Sequence, residues 1–348
     1  MFRVVLSILA VLILGIVGPI VAGAMRHYEP LPAAPLAQVD AASTGLAARS
    51  DHRFRCGDTW CAGTLYLPRG GAIPPAVIMG GGFAGTQDVA LPEFAAHLAE
   101  AGIAVFTFDY RFFGASGGAP RQLVDPKAQL ADWHAAIAYV SREASVDGRR
   151  LALLGASLGG GHALIAASKS ENVTAVVAMV PLVDTRVEAQ AGYFGAAWLA
   201  RLLASAWGDL WLAGLGGDAL TIPVMVPHGQ FGMIVDDAAF AAQKQLAGSS
   251  PTYKNEVAAR SIFTFDDFNP AIQAAGLDKP ALLIASKTDR FAPFSASAAF
   301  ASKQRNRQLI EISCDHFEVY TPPCSDKARG AVLAFLRTHW SLEPVSPR

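Results

Sequence analysis

The sequence predicts an α/β fold in which a mostly parallel sheet carries helices on both faces. From about residue 53, short apolar runs alternate with stretches of helical pattern, as repeated strand–helix–strand units require. The apolar runs are continuous, which is typical of strands buried on both faces. With 348 residues, 52% of them hydrophobic and 16% charged, the chain can bury one large core.

The predicted elements follow one another in this alternating order. Strands are expected at 63–67, 76–79, 104–108, 151–154, 175–180, 281–285 and 308–312. Helices are expected at 92–101, 126–143, 158–168, 296–303 and 327–338. The interval 184–277 breaks the rhythm and is interpreted as a helical insert, or cap, before the penultimate strand.

The N-terminal segment has its own character, because residues 4–25 are apolar except for Ser7. About 22 residues suffice to cross a bilayer as a helix, which favours a retained anchor. The sequence Ala22-Gly23-Ala24 favours a cleaved signal peptide instead. We therefore expect a chain anchored in the membrane through residues 4–25 and facing the extracytoplasmic side, or a secreted or periplasmic one.

The composition and the order of the predicted elements also suggest boundaries between the segments of the chain. We predict a targeting segment at 1–25, a Pro- and Ala-rich linker at 26–50, a core in two parts at 51–183 and 278–340 around the insert at 184–277, and a tail at 341–348. The insert contains Trp198, Trp207 and Trp211 among alanines and leucines. It is interpreted either as a cap that lines an apolar pocket or rests on a membrane, or as a subdomain core without substrate contact.

Charge and cysteines exclude some classes of function. A net charge of −1 without a basic block gives no reason to expect nucleic acid as a partner. The four cysteines form two sequence-local pairs, and we predict the disulfides Cys56–Cys61 and Cys314–Cys324, as expected in an oxidising compartment. Four separate buried thiols are the alternative. No C-x-x-C or histidine pair accompanies them, so a metal site is not expected.

A G-x-S-x-G pattern, typical of a nucleophile elbow, occurs at Ser157 and again at Ser116. Ser157 follows an apolar run and precedes a helical pattern, as the elbow requires. After Ser116 the chain continues through Pro120, which disfavours an immediate helix. We therefore predict Ser157 as the nucleophile and interpret Ser116 as a loop serine.

A serine nucleophile needs a histidine base and an acid to orient it, in the chain order Ser, Asp or Glu, His. Asp289 follows a late strand and His316 follows the last one, so they are the predicted acid and base. Asp184 is the rival acid, and Asp315 is disfavoured by its adjacency to the histidine. His162 is expected to pack in the core.

An oxyanion hole takes one amide from the residue after the nucleophile and one from the loop after an early strand. Leu158 and Phe83 are the predicted donors. Phe83 lies in the glycine-rich stretch 80–86, and no P-loop lysine follows it that would indicate phosphate binding.

Four segments carry a family resemblance: IMGGGFAGT at 78–86, FDYRFFGASGG at 108–118, PRQL at 120–123 and HFEVY at 316–320. Over about residues 55–340 the chain resembles the α/β-hydrolase superfamily, and in particular bacterial dienelactone hydrolase-like and X-Pro dipeptidyl-peptidase-like enzymes. Those relatives typically carry His-Gly where this chain has Gly81-Gly82. The resemblance implies a triad of Ser157, Asp289 and His316 and hydrolysis of an ester, thioester or amide.

The sequence therefore predicts an exported serine hydrolase that acts on a carboxylic ester or thioester through an acyl-enzyme. Its expected partner is a small acyl substrate with an apolar moiety, and this chemistry needs no metal or organic cofactor. A peptidase or an acyltransferase would share the same triad. A non-catalytic envelope binding protein with this fold is the alternative of a different class. The oligomeric state stays open.

Overall fold

In the computed structural model, which describes residue 15 and residues 48–70, 72–186, 195–248 and 250–342, a central eight-stranded sheet is covered by helices. The strands are β1 Ala48–Cys56, β2 Thr59–Leu67, β3 Ala76–Gly80, β4 Ala104–Phe108, β5 Leu151–Ala156, β6 Val173–Met179, β7 Thr221–Pro223, β8 Met225–Val226, β9 Ile234–Val235, β10 Glu256–Ala258, β11 Ala281–Ser286 and β12 Arg307–Ile312. The helices are α1 Leu91–Glu100, α2 Pro126–Val140, α3 Leu158–Lys169, α4 Gly195–Gly214, α5 Asp237–Ala247, α6 Pro270–Gln273, α7 Phe294–Ala301 and α8 Cys324–Trp340.

The sheet confirms the predicted fold class. Its strand order is β1-β2-β4-β3-β5-β6-β11-β12, and every neighbouring pair from β4 to β12 is parallel. The first two pairs, β1 with β2 and β2 with β4, are antiparallel. The carboxyl ends of the parallel strands therefore lie at one edge of the sheet, where the loops that follow them can meet.

Side chains alternate between two apolar layers along each central strand. On β3, Ile78 packs in the layer that contains Trp133 of α2 and Leu164 of α3. Its neighbour Val77 packs in the layer that contains Leu98 of α1 and Phe335 of α8. This two-sided burial explains why the strands are continuously apolar in sequence.

The hairpin β1–β2 begins earlier than the sequence indicated. Its first strand starts at Ala48, within the predicted linker, and no strand was expected before residue 63. β1 is an edge strand with charged, solvent-facing residues such as Asp51 and Arg55, so it lacks the continuous apolar run that marked the others. The predicted disulfide Cys56–Cys61 closes this hairpin, and the predicted Cys314–Cys324 bridge is also present.

Between β6 and β11 the chain forms α4, two small two-stranded sheets and α5. α4 buries Leu202, Ala206 and Leu210. Among the described residues, no helix is both long and apolar enough to cross a bilayer. The predicted targeting segment, apart from Gly15, lies outside the described residues.

Candidate active site

Ser157 lies on the sharp turn between β5 and α3. Its φ of 55° is in the left-handed region, which is costly for a residue with a side chain. The turn also requires glycines, because a Cβ at Gly155 would lie 2.0 Å from the carbonyl oxygen of Gly159, and one at Gly159 would lie 2.3 Å from that of Gly81. Strand, strained serine and helix follow each other as a nucleophile elbow requires.

Ser116, the second serine in a G-x-S-x-G pattern, has a structural role. It is buried, its Oγ accepts a hydrogen bond from the Ala62 amide at 2.8 Å, and it donates one to the Asp109 carbonyl at 2.7 Å. These bonds tie the loop after β4 to β2, so the hydroxyl is occupied on both sides.

Asp289 and His316 are brought together from two loops at the carboxyl edge of the sheet. Asp289 follows β11, and its Oδ1 accepts hydrogen bonds from the amides of Phe291 and Ala292, each at 2.8 Å. Its Oδ2 accepts a hydrogen bond from Nδ1 of His316 at 2.7 Å. Because a carboxylate only accepts, the imidazole proton lies on Nδ1 and Nε2 is left as the basic nitrogen.

The other candidate acids have different partners. Asp184 binds the Arg186 guanidinium and the Asn269 amide, and the Arg186 contact holds the pKa of Asp184 well below its usual range. Asp315 accepts a hydrogen bond from the backbone N–H of His316 and faces Arg290. Asp289 is the carboxylate on the imidazole ring.

The glycine loop after β3 lies against Ser157. A Cβ at Gly82 would be 3.4 Å from the Ser157 Cβ and 4.0 Å from its Oγ. Phe83 follows directly in this loop, and Leu158 opens α3. The loop that carries the first predicted oxyanion donor therefore lies against Ser157, and the second donor directly follows Ser157 in the chain.

Two buried side chains that the sequence analysis did not assign support this loop. The Tyr110 hydroxyl donates to the Gly81 carbonyl at 3.1 Å and accepts from the Trp133 indole N–H at 2.9 Å. Burial raises the pKa of Tyr110 far above its ordinary value, so the hydroxyl stays protonated and can donate. Tyr110 lies within the segment that carries the family resemblance, but the sequence does not indicate its partner.

Asp109 is the second unassigned support. Its carboxylate accepts from the Gln87 amide N–H at 2.7 Å, from the Gln87 side chain at 3.2 Å and from the Ala115 N–H at 2.9 Å. Burial raises the pKa of Asp109 to about 6 despite these bonds. The carboxylate thereby fixes the end of the glycine loop against the loop after β4.

Ser157 and His316 line the same cavity, which has a volume of about 110 Å³. The glycine loop, Phe291 and Phe317 form further parts of its wall. Met225, Ile234 and Leu246, from the segment between β6 and β11, also line it, so the inserted segment contributes to the pocket. The α4 tryptophans that suggested this contribution are not among the lining residues.

Two other sites contain side chains that can be reactive, but in both the reactive atoms already have partners. His162 is fully buried, its ring nitrogens lie 2.9 and 3.0 Å from the carbonyl oxygens of Leu158 and Pro126, and burial lowers its pKa to about 4. Among the described residues, Cys56, Cys61 and Asp132 lie close enough together to hold a metal ion. The two sulfurs are bonded to each other, so this cluster offers no thiolate ligand.

The chain is similar to several known proteins. A family model described as "Serine aminopeptidase, S33" matches residues 76–313. The "Quorum-quenching protein AidA" of Acinetobacter baumannii is 30% identical over 287 residues, which cover 82% of this chain and 94% of that protein. "Thiohydrolase aneE" of Aspergillus aculeatus is 34% identical over 122 residues, 35% of this chain and 38% of that one. The crystal structure of the α/β-hydrolase GrgF from Penicillium sp. superposes with a TM-score of 0.73 at 23% identity, and covers 85% of this chain and 100% of that one.

Proposed function

The chain belongs to the serine aminopeptidase S33 family of α/β-hydrolases, and on that premise we propose that it is an exported serine hydrolase that cleaves carboxylic esters or thioesters. Ser157 is the nucleophile, His316 the base and Asp289 the residue that orients the base. One observation carries the proposal: Asp289 binds Nδ1 of the same histidine that lines a cavity with a serine on a strained elbow.

The reaction follows from these positions. Nε2 of His316 takes the hydroxyl proton as Ser157 Oγ attacks the substrate carbonyl, and the amides of Phe83 and Leu158 stabilise the resulting oxyanion. The imidazolium, stabilised by Asp289, then gives its proton to the departing alcohol or thiol. Water, deprotonated by the same histidine, attacks the acyl-enzyme; the bond to Ser157 Oγ breaks, the acid leaves, and the imidazolium returns its proton to Oγ.

A fluorophosphonate probe tests the nucleophile, because it labels an activated serine covalently. We expect labelling of the full-length protein and none of Ser157→Ala. Ser116→Ala is the matched control, since that serine occurs in the same sequence pattern but hydrogen-bonds to the backbone on both sides. Labelling that persists in Ser157→Ala and disappears in Ser116→Ala would reverse the assignment, and an unlabelled wild type would refute the proposal.

Transfer to an acceptor other than water is the second candidate function. It is favoured by relatives described as polyketide transferases, such as the one from Penicillium, which is 36% identical over 111 residues, or 38% of that protein. The two activities differ in the fate of the acyl-enzyme. Hydrolysis of p-nitrophenyl butyrate with and without added alcohols separates them, because a transferase forms the new ester whereas a hydrolase releases butyrate. A peptidase would cleave the matching p-nitroanilide at a comparable rate.

Export is supported by the two disulfides, since such bonds persist in oxidising compartments. In the producing cell the protein is expected to be digested by protease added outside the cytoplasmic membrane. N-terminal sequencing then distinguishes a retained anchor from a cleaved signal. Full protection from protease in cells with a permeable outer layer would refute export.

A further inference from the structure

A second cavity lies along α5, next to the cavity of Ser157. It has a volume of about 230 Å³, and Phe240, Ala247 and Tyr253 are among its lining residues. Gln243 lines both cavities. On a helical projection of α5, Leu246 faces the inner cavity, Phe240 and Ala247 face the outer one, and Gln243 lies between these directions. Gln243 therefore forms a partition between the two spaces.

Half-buried Tyr253 lines the outer cavity together with Gln243. The Tyr253 amide in turn donates to Ser250 Oγ at 2.9 Å. Thr252 Oγ1 donates to Asp88 at 2.8 Å, which ties this loop to the end of the glycine loop. The outer cavity thus has a built wall that is connected to the proposed oxyanion loop.

The size of the two cavities indicates that a substrate uses both. The inner cavity of about 110 Å³ is well below the roughly 300–1,000 Å³ typical of small-molecule sites. Together the two cavities offer about 340 Å³. A substrate confined to the inner cavity would be restricted to a short acyl group.

The position of α5 identifies which part of the substrate extends outward. Its N-cap residue Asp236 binds Arg290, next to the proposed acid Asp289, at 2.6 Å. Gln243 is seven residues further along the helix, about 10 Å away along the axis. The departing alcohol must stay near His316 to receive its proton, so the acyl chain is the part that can run toward Gln243.

We propose that the outer cavity is an acyl-chain subsite and that Gln243 sets the length of chain the enzyme accepts. This inference rests on the proposed function. Chains of about four carbons fit in front of Gln243, and chains of eight to ten carbons have to displace it and enter the space lined by Phe240 and Ala247. The chemical class is a medium-chain carboxylic ester or thioester.

Hydrolysis of p-nitrophenyl esters from acetate to decanoate by the full-length protein tests the subsite. Gln243→Ala is expected to raise kcat/KM for decanoate relative to butyrate by about tenfold. Gln245→Ala is the matched control, because this exposed glutamine lies on the same helix away from both cavities, and its profile is expected to equal that of the wild type. Ala247→Trp, which fills the outer cavity, should lower kcat/KM for decanoate relative to that for butyrate.

A binding measurement separates this inference from the proposed function. Decanoic and butyric acid are titrated into Ser157→Ala protein with and without Gln243→Ala, so that no turnover is needed. About tenfold tighter binding of decanoic acid alone is expected. Unchanged binding and parallel ester profiles overturn the subsite even if Ser157 is the nucleophile, whereas absence of hydrolysis with the expected binding overturns only the proposed function.

Discussion

Asp289→Asn tests the proposed catalytic arrangement through the tautomer of His316. Oδ1 of Asp289 accepts two backbone hydrogen bonds, so an asparagine must keep its carbonyl oxygen there. Turning the amide around would set its NH₂ against two N–H donors and cost about 1–3 kcal/mol for each unsatisfied group. The NH₂ therefore faces Nδ1 of His316, which has to accept, and the imidazole proton moves to Nε2.

A protonated Nε2 cannot take the proton of Ser157, so the loss is in the chemical step. Substitutions of this kind lower kcat by about 10⁴-fold, or ~5.5 kcal/mol of barrier at about 1.4 kcal/mol per tenfold change. KM is expected to change little, because the buried Asp289 does not line the cavity. Initial rates on p-nitrophenyl butyrate give kcat and KM separately.

Asp184→Asn is the matched control, since Asp184 is the rival acid and binds Arg186 and Asn269. It should retain kcat within about twofold. Circular dichroism and thermal unfolding of both variants show whether they are folded. If folded Asp289→Asn keeps more than a tenth of the wild-type kcat, or if Asp184→Asn loses as much as Asp289→Asn, the tautomer argument is refuted.

Three further substitutions test the framework of the site. Burial raises the pKa of Asp109 from 3.8 to about 6, so the folded protein binds the extra proton and this contribution to stability is lost as pH rises toward 7. Asp109→Asn should remove about 1 kcal/mol of that decline between pH 5 and 7, measured by urea unfolding at both pH values. Replacing Cys314 and Cys324 by serine should cost about 3 kcal/mol, because the bridge closes a loop of about ten residues, and should also lower kcat, because that loop carries the proposed base. Arg260→Met should cost ~3–5 kcal/mol in guanidinium unfolding, because it leaves the buried carboxylate of Asp209 without its ion pair.

The disulfide and arginine substitutions each have a counterpart with a weaker expected effect. Replacing Cys56 and Cys61 by serine should destabilise the hairpin and leave kcat unchanged, because that bridge lies away from the cavity. Arg186→Met removes an ion pair whose arginine is fully exposed, and it should destabilise the protein far less than Arg260→Met. If the stability of Asp109→Asn depends on pH as steeply as that of the wild type, the raised pKa of Asp109 is contradicted. Equal losses of stability in Arg260→Met and Arg186→Met would contradict the expected difference between a buried and an exposed ion pair.

The regular elements of the core could be predicted from the sequence because each of them has a local sequence pattern. The continuous apolar runs at β3, β4 and β5 reflect burial on both faces. The elbow could be predicted because the turn has no space for a side chain at Gly155 or Gly159, so both positions are glycine in the sequence. The sequence did not predict β1, because an edge strand with one exposed face has no continuous apolar run. The cysteine pairing could be predicted because the two partners of each disulfide are close together in the sequence.

The sequence by itself determined the α/β-hydrolase fold and the candidates Ser157, Asp289 and His316, because chain order and local pattern suffice for both. Only the tertiary structure decided which carboxylate meets the imidazole, since Asp184 and Asp289 both follow strands and differ in the partners that folding brings to them. It alone disclosed the buried supports Tyr110 and Asp109. Their partners Gly81 and Gln87 are more than 20 residues away in sequence, and a hydrogen bond between distant segments leaves no periodic trace in either.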